Sequence, residues 1–337
     1  MNGLVKWMAA SGAWAPWLFL LLFLAASFLM IWRLEALNAG GLEGTVLGTL
    51  VMPYCSGIGN LIFAFVVGAK GGSGTEVLTN CLVNNVTNLT LLIGLPVAIW
   101  GMNREPAKAQ KGSKKQKQKE VQEHKLNRLS TLLTLAAVLF FTGTTWALSR
   151  DHQINFSDGL ALIASFIFWQ CIHVFEVLKS NVRKNRSFGW MLPVDLALLG
   201  LGAYATYVST DWLVDWIGKI HTGFISAKYL GWLSGWLMVV PNGVLAFYYA
   251  RRGNPEVVYT SQAGDGHICI PLCIGIYALY RPIQTPAFFE TGMYILLVSA
   301  CVHFVMIAFF GRLPRFVGWI LTAAYGLFLY KGLPQQG

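Results

Sequence analysis

Long apolar stretches, separated by short polar segments, follow one another along almost the whole chain. Each stretch has about the 20 residues that a helix needs to cross a bilayer core roughly 30 Å thick. The pattern predicts an all-α, polytopic membrane protein. Ten transmembrane helices are predicted, at residues 14–34, 45–69, 75–101, 129–149, 157–178, 190–208, 229–250, 256–280, 288–311 and 313–331.

The composition agrees with a membrane protein and not with a soluble domain. Of the 337 residues, 55% are hydrophobic and only 12% are charged, which is more apolar surface than a soluble fold can bury. Lysines and arginines concentrate in alternate inter-helix segments, eighteen against seven. By the positive-inside rule, this bias predicts a multi-pass protein of the plasma membrane, or of a bacterial inner membrane, with both termini outside. The net charge of +10 is thus a topology signal, and we expect a lipid bilayer, not nucleic acid, as the partner.

Two polar segments stand apart from the predicted spans. Residues 103–128 are rich in Lys and Gln and predict a solvated cytoplasmic linker, with contact to anionic lipid or to a protein partner as the alternative. Residues 211–221 place tryptophan and isoleucine on one helical face and Asp211, Asp215 and Lys219 on the other. This second pattern predicts a helix lying on the membrane surface.

A weak internal repeat divides the chain into two halves. Residues 58–71 align with residues 240–253, with identities at Asn60/Asn242, Ala64/Ala246, Phe65/Phe247 and Gly71/Gly253. Each half holds five predicted spans, and this odd number turns the second copy upside down in the membrane. The predicted units are residues 1–101 with signature helices at 45–101, the basic linker 102–128, residues 129–189 with spans four and five, and a second half at 190–337 with signature helices at 229–280.

Proline and glycine interrupt the second and seventh predicted spans at matching places. The predicted helix breaks are at Pro53, Gly57 and Gly59 in the second span, and at Pro241 and Gly243 in the seventh. Proline removes a backbone donor, and the freed carbonyl is tolerated in a membrane only where it faces protein, water or an ion. An ordinary kink is the alternative, but matched breaks in inverted repeats are typical of secondary transporters with a site near the midplane.

Polar side chains gather at the centre of the signature helices, where they are costly unless they bond to one another or to a ligand. Asn80, Asn84 and Asn88 recur at intervals of four and form a helical stripe. The candidate ion-binding residues are Asn60, Asn84, Asn85, Asn88, Asn242, Ser261 and Asp265, the last being the only acid predicted near a span centre.

Other chemistry is less well supported by the residue pattern. His267, Cys269 and Cys273 could bind a soft metal, although cysteine is also a common buried residue without one. No nucleophile and base have compatible helical spacing, so we expect neither an enzyme nor a cofactor.

The signature segments resemble those of the cation/calcium exchanger superfamily, the sodium/calcium and calcium/proton antiporters. Each half of such a protein carries a Gly-Thr-Ser-x-Pro-Glu type run and then a Gly-Ser-Asn-x-x-Asn/Asp type run. Here CSGIGN at 55–60 and LMVVPN at 237–242 occupy the first run, and VNNVTN at 83–88 and AGDGHI at 263–268 the second. The resemblance implies two inverted five-helix repeats and alternating access.

The same alignment places Asn60 and Asn242 where the family has glutamates. Calcium sites usually include carboxylates, so the resemblance implies an antiporter-like secondary active transporter of a small cation or solute that is not an ordinary calcium exchanger. Sodium or a proton is the expected coupling ion. Two alternatives stay open: a non-transporting protein of exchanger fold that acts as a sensor or complex subunit, and a transition-metal or calcium transporter.

Overall fold

The structure, a computed structural model, describes residues 2–39, 46–103, 114–181, 191–253, 255–264 and 266–334. The first half contains α1 (Asn2–Ala9), α2 (Ala15–Ala39), α3 (Val46–Ala69), α4 (Gly74–Val86), α5 (Ile93–Trp100), β1 (Met102–Asn103), α6 (Lys114–Leu148), β2 (Gln153–Ile154) and α7 (Phe156–Asn181). The second half contains α8 (Leu192–Gly218), α9 (Leu230–Arg251), α10 (Pro255–Gly264), α11 (Gly266–Ile268), α12 (Ile274–Tyr280), β3 (Ile283–Gln284), α13 (Phe289–Val305), β4 (Arg312–Leu313) and α14 (Arg315–Gly332).

Short stretches of other helix types adjoin these elements in the described chain. Three of them are π-helical: π1 (Thr87–Leu92) joins α4 to α5, π2 (Cys269–Cys273) joins α11 to α12, and π3 (Met306–Phe310) follows α13. Turns of 3-10 helix precede α2 at Gly12–Trp14 and α9 at Ala227–Tyr229. The third predicted span is therefore one continuous helix from Gly74 to Trp100 that contains a π turn at its centre.

Seven helices in the described part of the chain are long and apolar enough to cross a membrane: Gly12–Leu37, Gly74–Trp100, Arg128–Leu148, Leu192–Gly218, Ala227–Arg251, Ser261–Tyr280 and Phe289–Phe310. Two shorter apolar stretches, Gly57–Ala69 in α3 and Phe156–Ile172 in α7, lie at further predicted spans, and α14 lies at the tenth. The all-α polytopic fold is thus confirmed. The number of ten spans stays a prediction.

Two small antiparallel sheets display the internal repeat. β1 pairs with β4, with Met102 opposite Leu313, and β2 pairs with β3, with Ile154 opposite Ile283. β1 follows the third predicted span and β4 precedes the tenth, whereas β3 follows the eighth and β2 precedes the fifth. Because successive spans cross in opposite directions, the two sheets belong at opposite membrane faces. Inverted repeats require this arrangement.

The second span of each signature pair is irregular at an equivalent place. π1 begins at Thr87 and π2 begins at Cys269. The interval between these two residues equals the interval from Asn60 to Asn242, the identity on which the sequence repeat rests. The backbone therefore supports the repeat independently of the side chains.

This register corrects one predicted alignment. It makes residues 265–270 the equivalent of residues 83–88, two positions beyond the predicted segment 263–268. Asn84 then corresponds to Gly266. Few residues are identical between these two segments, so side-chain identity could not locate the register, whereas the π turns do.

Paired glycines bring the signature helices into backbone contact with spans five and ten. A Cβ atom on Gly318 would lie 2.5 Å from the carbonyl oxygen of Gly94, and one on Gly159 would lie 2.8 Å from that of Gly275. Gly94 and Gly275 are the second residues of α5 and α12, and Gly159 and Gly318 are the fourth residues of α7 and α14. The two close contacts are therefore equivalent in the repeat, and small residues are what such membrane interfaces need.

The predicted helix breaks are wrong, because α3 and α9 continue through them. The backbone of Pro53, Gly57 and Gly59 lies within α3, and that of Pro241 and Gly243 lies within α9. An unwound segment in an apolar surrounding would leave several backbone groups unbonded. A proline kept within the helix removes only one donor. Continuity is therefore the less costly arrangement.

The glycines of α3 instead make room for side chains of the other half. A Cβ atom on Gly57 would overlap the side chain of Ile268, and one on Gly59 would lie 2.6 Å from the sulfur of Met238. These positions thus let α3 pack closely against α11 and α9. The side chain of Pro53 lies outside the described residues.

The predicted surface helix at 211–221 is also wrong, because its first eight residues continue α8. Trp212 stacks on Phe19 of α2 with ring centroids 4.4 Å apart, and Leu213 is buried beside Phe19. The apolar face of the segment therefore packs against another helix of the protein, and this contact extends the sixth span to Gly218.

The polar face of the same segment binds the end of α3. Lys70 Nζ lies 2.7 Å from Asp211 Oδ1 and 2.8 Å from Asp215 Oδ1. Burial lowers the pKa of Lys70, but the hydrogen bonds and charges of the two carboxylates together raise it above its ordinary value. Lys70 therefore stays charged and ties α3 to α8.

The predicted linker 102–128 is partly helical. The backbone of α6 begins at Lys114 and continues into the fourth span, while residues 104–113 lie outside the described residues. Lys, Gln and Glu have high helix propensity, and a helix already formed in the membrane extends at low cost because its nucleus exists. The low hydrophobicity of the segment was therefore a poor guide to its backbone.

Cysteines introduced at Gln284 and Arg312, which are exposed residues of β3 and β4, should react from opposite sides of the membrane. The positive-inside orientation places Gln284 outside. The measurement is labelling by a membrane-impermeant maleimide, in intact cells and in inverted vesicles. The parent protein carries Cys171→Ala and Cys301→Ala, which remove the two exposed cysteines of the described chain, and gives the background. Labelling of both sites from the same side would contradict the inverted arrangement.

Candidate functional site

A chain of buried amides joins α3 to α4 and π1. Asn84 Nδ2 donates to Asn60 Oδ1 at 3.4 Å, and Asn88 Nδ2 donates to Asn84 Oδ1 at 2.9 Å. Each of the three residues is at most 2% exposed. Residues four apart on a helix lie on one face, so the stripe presents its amides together. Three of the predicted site residues are therefore in one hydrogen-bonded group, which we call the amide chain.

The second half contacts the amide chain through π2. Cys269 Sγ lies 3.8 Å from Asn84 Oδ1, and a thiol is a weak hydrogen-bond donor. Cys269 is fully buried. The amide chain therefore lies where the two halves meet.

A second polar group lies between α9 and α10. Gln262 Nε2 donates to the main-chain carbonyl of Asn242 at 3.2 Å and to Ser261 Oγ at 2.9 Å. Both helices also pack against π1, which holds Asn88 of the amide chain. The predicted residues Asn242 and Ser261 thus lie together, and Gln262, which the sequence pattern did not single out, connects them.

Asn85 faces a different direction from the rest of the stripe. Its Nδ2 donates to the carbonyl of Cys81 in its own helix at 2.7 Å. A Cβ atom on Gly266 would lie 3.2 Å from Asn85 Oδ1, so this amide faces α11 and not α3. Asp265 lies outside the described residues, and its contribution to the predicted site stays a prediction.

The histidine and cysteines considered for a soft metal are placed for other contacts. His267 Nε2 lies 3.0 Å from the carbonyl oxygen of Thr134. A carbonyl only accepts, so this nitrogen carries the proton and cannot ligate a metal in this arrangement. Cys269 and Cys273 are buried. Among the residues that the structure describes, no three His, Cys, Asp or Glu side chains are grouped to hold a metal.

Two side chains, one on α13 and one on π1 itself, bond carbonyl groups around the π turn that carries Asn88. His303 Nε2 of α13 donates to the carbonyl of Leu89 at 2.8 Å, and Thr87 Oγ1 donates to the carbonyl of Val83 at 2.6 Å. A π turn shifts the helical hydrogen bonds by one residue and is frequent at functional sites. These bonds supply partners for carbonyl groups around π1 and hold the amide chain in place.

Glu76 caps a helix of the other half. Its Oε2 accepts a hydrogen bond from the backbone N–H of Gly231 at 2.5 Å. Gly231 is the second residue of α9, and the N-cap residue Tyr229 provides no side-chain cap. The first N–H groups of a helix lack partners within it and favour a negative charge. The carboxylate therefore fixes the start of α9 against the start of α4.

The fold and its buried polar centre define a polytopic membrane protein of the exchanger type, built from two inverted halves. The chain belongs to the sodium/calcium exchanger protein family, whose model matches residues 12–175 and 194–331. The family places the protein among membrane transporters of small cations. Comparison with the curated proteins found no match.

Solved structures of the sodium-calcium exchanger NCX_Mj have a similar fold. The form soaked with 2.5 mM Na+ and 10 mM Sr2+ has a TM-score of 0.62 at 16% sequence identity, covering 93% of this chain and 96% of that one. The form soaked with 2.5 mM Na+ and 0.1 mM Ca2+ also has a TM-score of 0.62, at 18% identity, covering 94% and 96%. At such low identity the likeness establishes the fold alone.

Replacing Glu76 should destabilise the protein. Glu76→Ala removes the cap of α9, and helix caps contribute about 1 kcal/mol. Glu76→Gln keeps an acceptor oxygen and should lose less. Thermal unfolding of the detergent-purified protein measures both effects. Glu290→Ala is the matched control, since Glu290 lies in the first turn of α13 but is more than half exposed. If Glu76→Ala and Glu290→Ala have equal effects, the capping role is wrong.

Proposed function

We propose that this protein is an antiporter-like secondary active transporter that moves a small cation by alternating access. Its membership of the exchanger family supports the class. The equivalent sheets and glycine contacts support an inverted repeat, the architecture that places a transport site near the membrane midplane. Among the residues that the structure describes, the amide chain and the Gln262 group are buried polar groups suited to such a site.

The proposed choice of cation rests on one observation, which is that the amide chain has no charge. Asn60 stands where the exchanger motif has a glutamate, and its Oδ1 is hydrogen-bonded to Asn84. Amide oxygens coordinate cations but supply no countercharge. Because the Born cost grows with the square of the charge, a divalent ion loses about four times the solvation energy of a monovalent ion of equal size.

A monovalent cation therefore fits these residues better than calcium. We propose sodium as the first candidate, either as the cargo or as the coupling ion, with a proton as the alternative coupling ion. In this scheme the oxygens of Asn60, Asn84 and Asn88 bind the cation, and Asp265 supplies a negative charge or exchanges a proton. The charge bias between loops supports a plasma-membrane location with both termini outside.

Purified protein in liposomes should take up labelled sodium when a sodium or proton gradient is imposed. Asn84→Ala removes the central member of the amide chain. It should raise the half-saturating sodium concentration about tenfold or more, because the loss of one contact to a charged group weakens binding by about that factor. Thr90→Val is the matched control, because Thr90 is buried on π1 but donates to Val86 of its own helix. Absence of gradient-driven flux for every cation tested would favour a non-transporting sensor or subunit.

Restoring one carboxylate should admit calcium. Asn60→Asp keeps the oxygen to which Asn84 Nδ2 donates and replaces the amide nitrogen by a second oxygen, so the carboxylate has a hydrogen-bond partner and a divalent ion gains countercharge. We expect calcium binding, measured by calorimetry, to strengthen about tenfold or more. Asn60→Ser, which keeps a neutral oxygen, is the control and should show no such gain. Micromolar calcium binding by the unmodified protein would overturn the preference for a monovalent ion.

A further inference from the structure

Two fully buried amides outside the amide chain occupy equivalent positions in the two halves. Asn80 lies on α4 and Gln262 on α10, and neither has measurable exposure. The interval between them equals the interval from Asn60 to Asn242. They also precede their π turns by the same number of residues. The repeat therefore relates these two amides.

The two amides are held by the same kind of hydrogen bond. Asn80 Nδ2 donates to Ser234 Oγ at 3.0 Å, and Gln262 Nε2 donates to Ser261 Oγ at 2.9 Å. Each serine in turn donates to the carbonyl three residues earlier, at 3.0 Å for Ser234 and 3.1 Å for Ser261. Since each hydroxyl proton is already used, each serine can only accept from the amide. Both amides must therefore direct their nitrogen to the serine.

The carbonyl oxygens of these amides consequently point elsewhere. Asn80 Oδ1 and Gln262 Oε1 are buried and have no hydrogen-bond donor among the residues that the structure describes. An unsatisfied buried acceptor is costly, and native proteins keep few of them without a functional reason. The same unpaired atom at two equivalent positions indicates a shared ligand and not an isolated packing defect.

The inverted repeat predicts that the two oxygens lie on opposite sides of the membrane midplane. Asn80 is seven residues before π1 in the third predicted span, and Gln262 is seven residues before π2 in the eighth. Because the halves are inverted, the starts of these helices face opposite membrane surfaces. With the predicted orientation, Asn80 is on the outer side and Gln262 on the inner side.

We propose that the carbonyl oxygens of Asn80 and Gln262 are a pair of cation ligands, one on each side of the central amides, that receive a dehydrated monovalent cation from the outer and inner faces respectively. This proposal rests on the proposed transport function and adds the path by which the cation reaches the site. The two neutral carbonyl oxygens determine the class of ligand. Neutral carbonyl oxygens replace the hydration shell of alkali cations in selective pores, and a buried acceptor with no donor is stabilised by a positive partner.

The test measures sodium transport separately from each face. Asn80→Leu and Gln262→Met remove the oxygens with little change in size. Labelled sodium uptake is recorded over a range of sodium concentrations in intact cells for the outer face and in inverted vesicles for the inner face. Thr142→Val is the matched control, because Thr142 on α6 also has a buried hydroxyl without a partner in the described chain. Gel filtration in detergent confirms that each variant is folded.

We expect Asn80→Leu to raise the half-saturating sodium concentration at the outer face about tenfold and to leave the inner face unchanged. Gln262→Met should show the opposite pattern, and Thr142→Val neither. Equal shifts at both faces, or no shift, would mean that the amides are structural groups and would overturn the proposal.

Equilibrium sodium binding to the detergent-purified proteins separates this proposal from the proposed function. If the wild type transports sodium and the two variants behave like it, the function stands and the two ligand positions fail. If the wild type binds sodium without transporting it, the function fails. The ligand positions then stand if each variant weakens binding and fail if neither does.

Discussion

Inside a bilayer every backbone N–H and carbonyl group must find its partner within the protein, and this constraint decides where the chain is regular and where it is not. α3 and α9 keep their helical backbone in spite of Pro53 and Pro241. Departures from the α-helix within the described spans occur as π turns, in which the backbone hydrogen bonds shift by one residue but are still made. At π1 the histidine of α13, His303, donates to a carbonyl that the turn exposes. At π1 a side chain of another helix thus satisfies a backbone group within the irregular turn.

The two halves share their backbone geometry but differ in their buried polar side chains. The sheets, the π turns and the glycine contacts of Gly94 and Gly275 recur at equivalent positions, because packing and alternating direction impose the same geometry on both copies. The polar groups differ. The first half supplies the stripe of asparagines, while the second supplies Gln262 and Cys269.

Much of the transmembrane fold could be predicted from the sequence, since long apolar stretches specify membrane helices and the Asn60/Asn242 identity marks the repeat. The amide chain followed from the four-residue spacing of Asn84 and Asn88. The predicted helix breaks were wrong because helix propensity describes only the cost of a proline within a helix. It does not include the cost of the unbonded backbone groups that an unwound segment would leave in an apolar surrounding. Glu76 was missed for another reason. It completes a local Ser-x-x-Glu pattern that predicts a cap on its own helix, and only the tertiary fold shows it capping α9.

Among the described charges, Glu76 caps the start of α9, Lys70 binds the last turns of α8, and Arg33 of α2 pairs with Asp195 in the first turn of α8. The amide chain between these ends is neutral. If Asp265 is protonated, a neutral site that carries one monovalent cation moves one net charge when loaded and none when empty. The membrane potential then acts on the loaded form alone, by about 2.3 kcal/mol per 100 mV for a full crossing. In the proposed transport scheme, amides in place of the motif's carboxylates would therefore change which half of the transport cycle the potential drives.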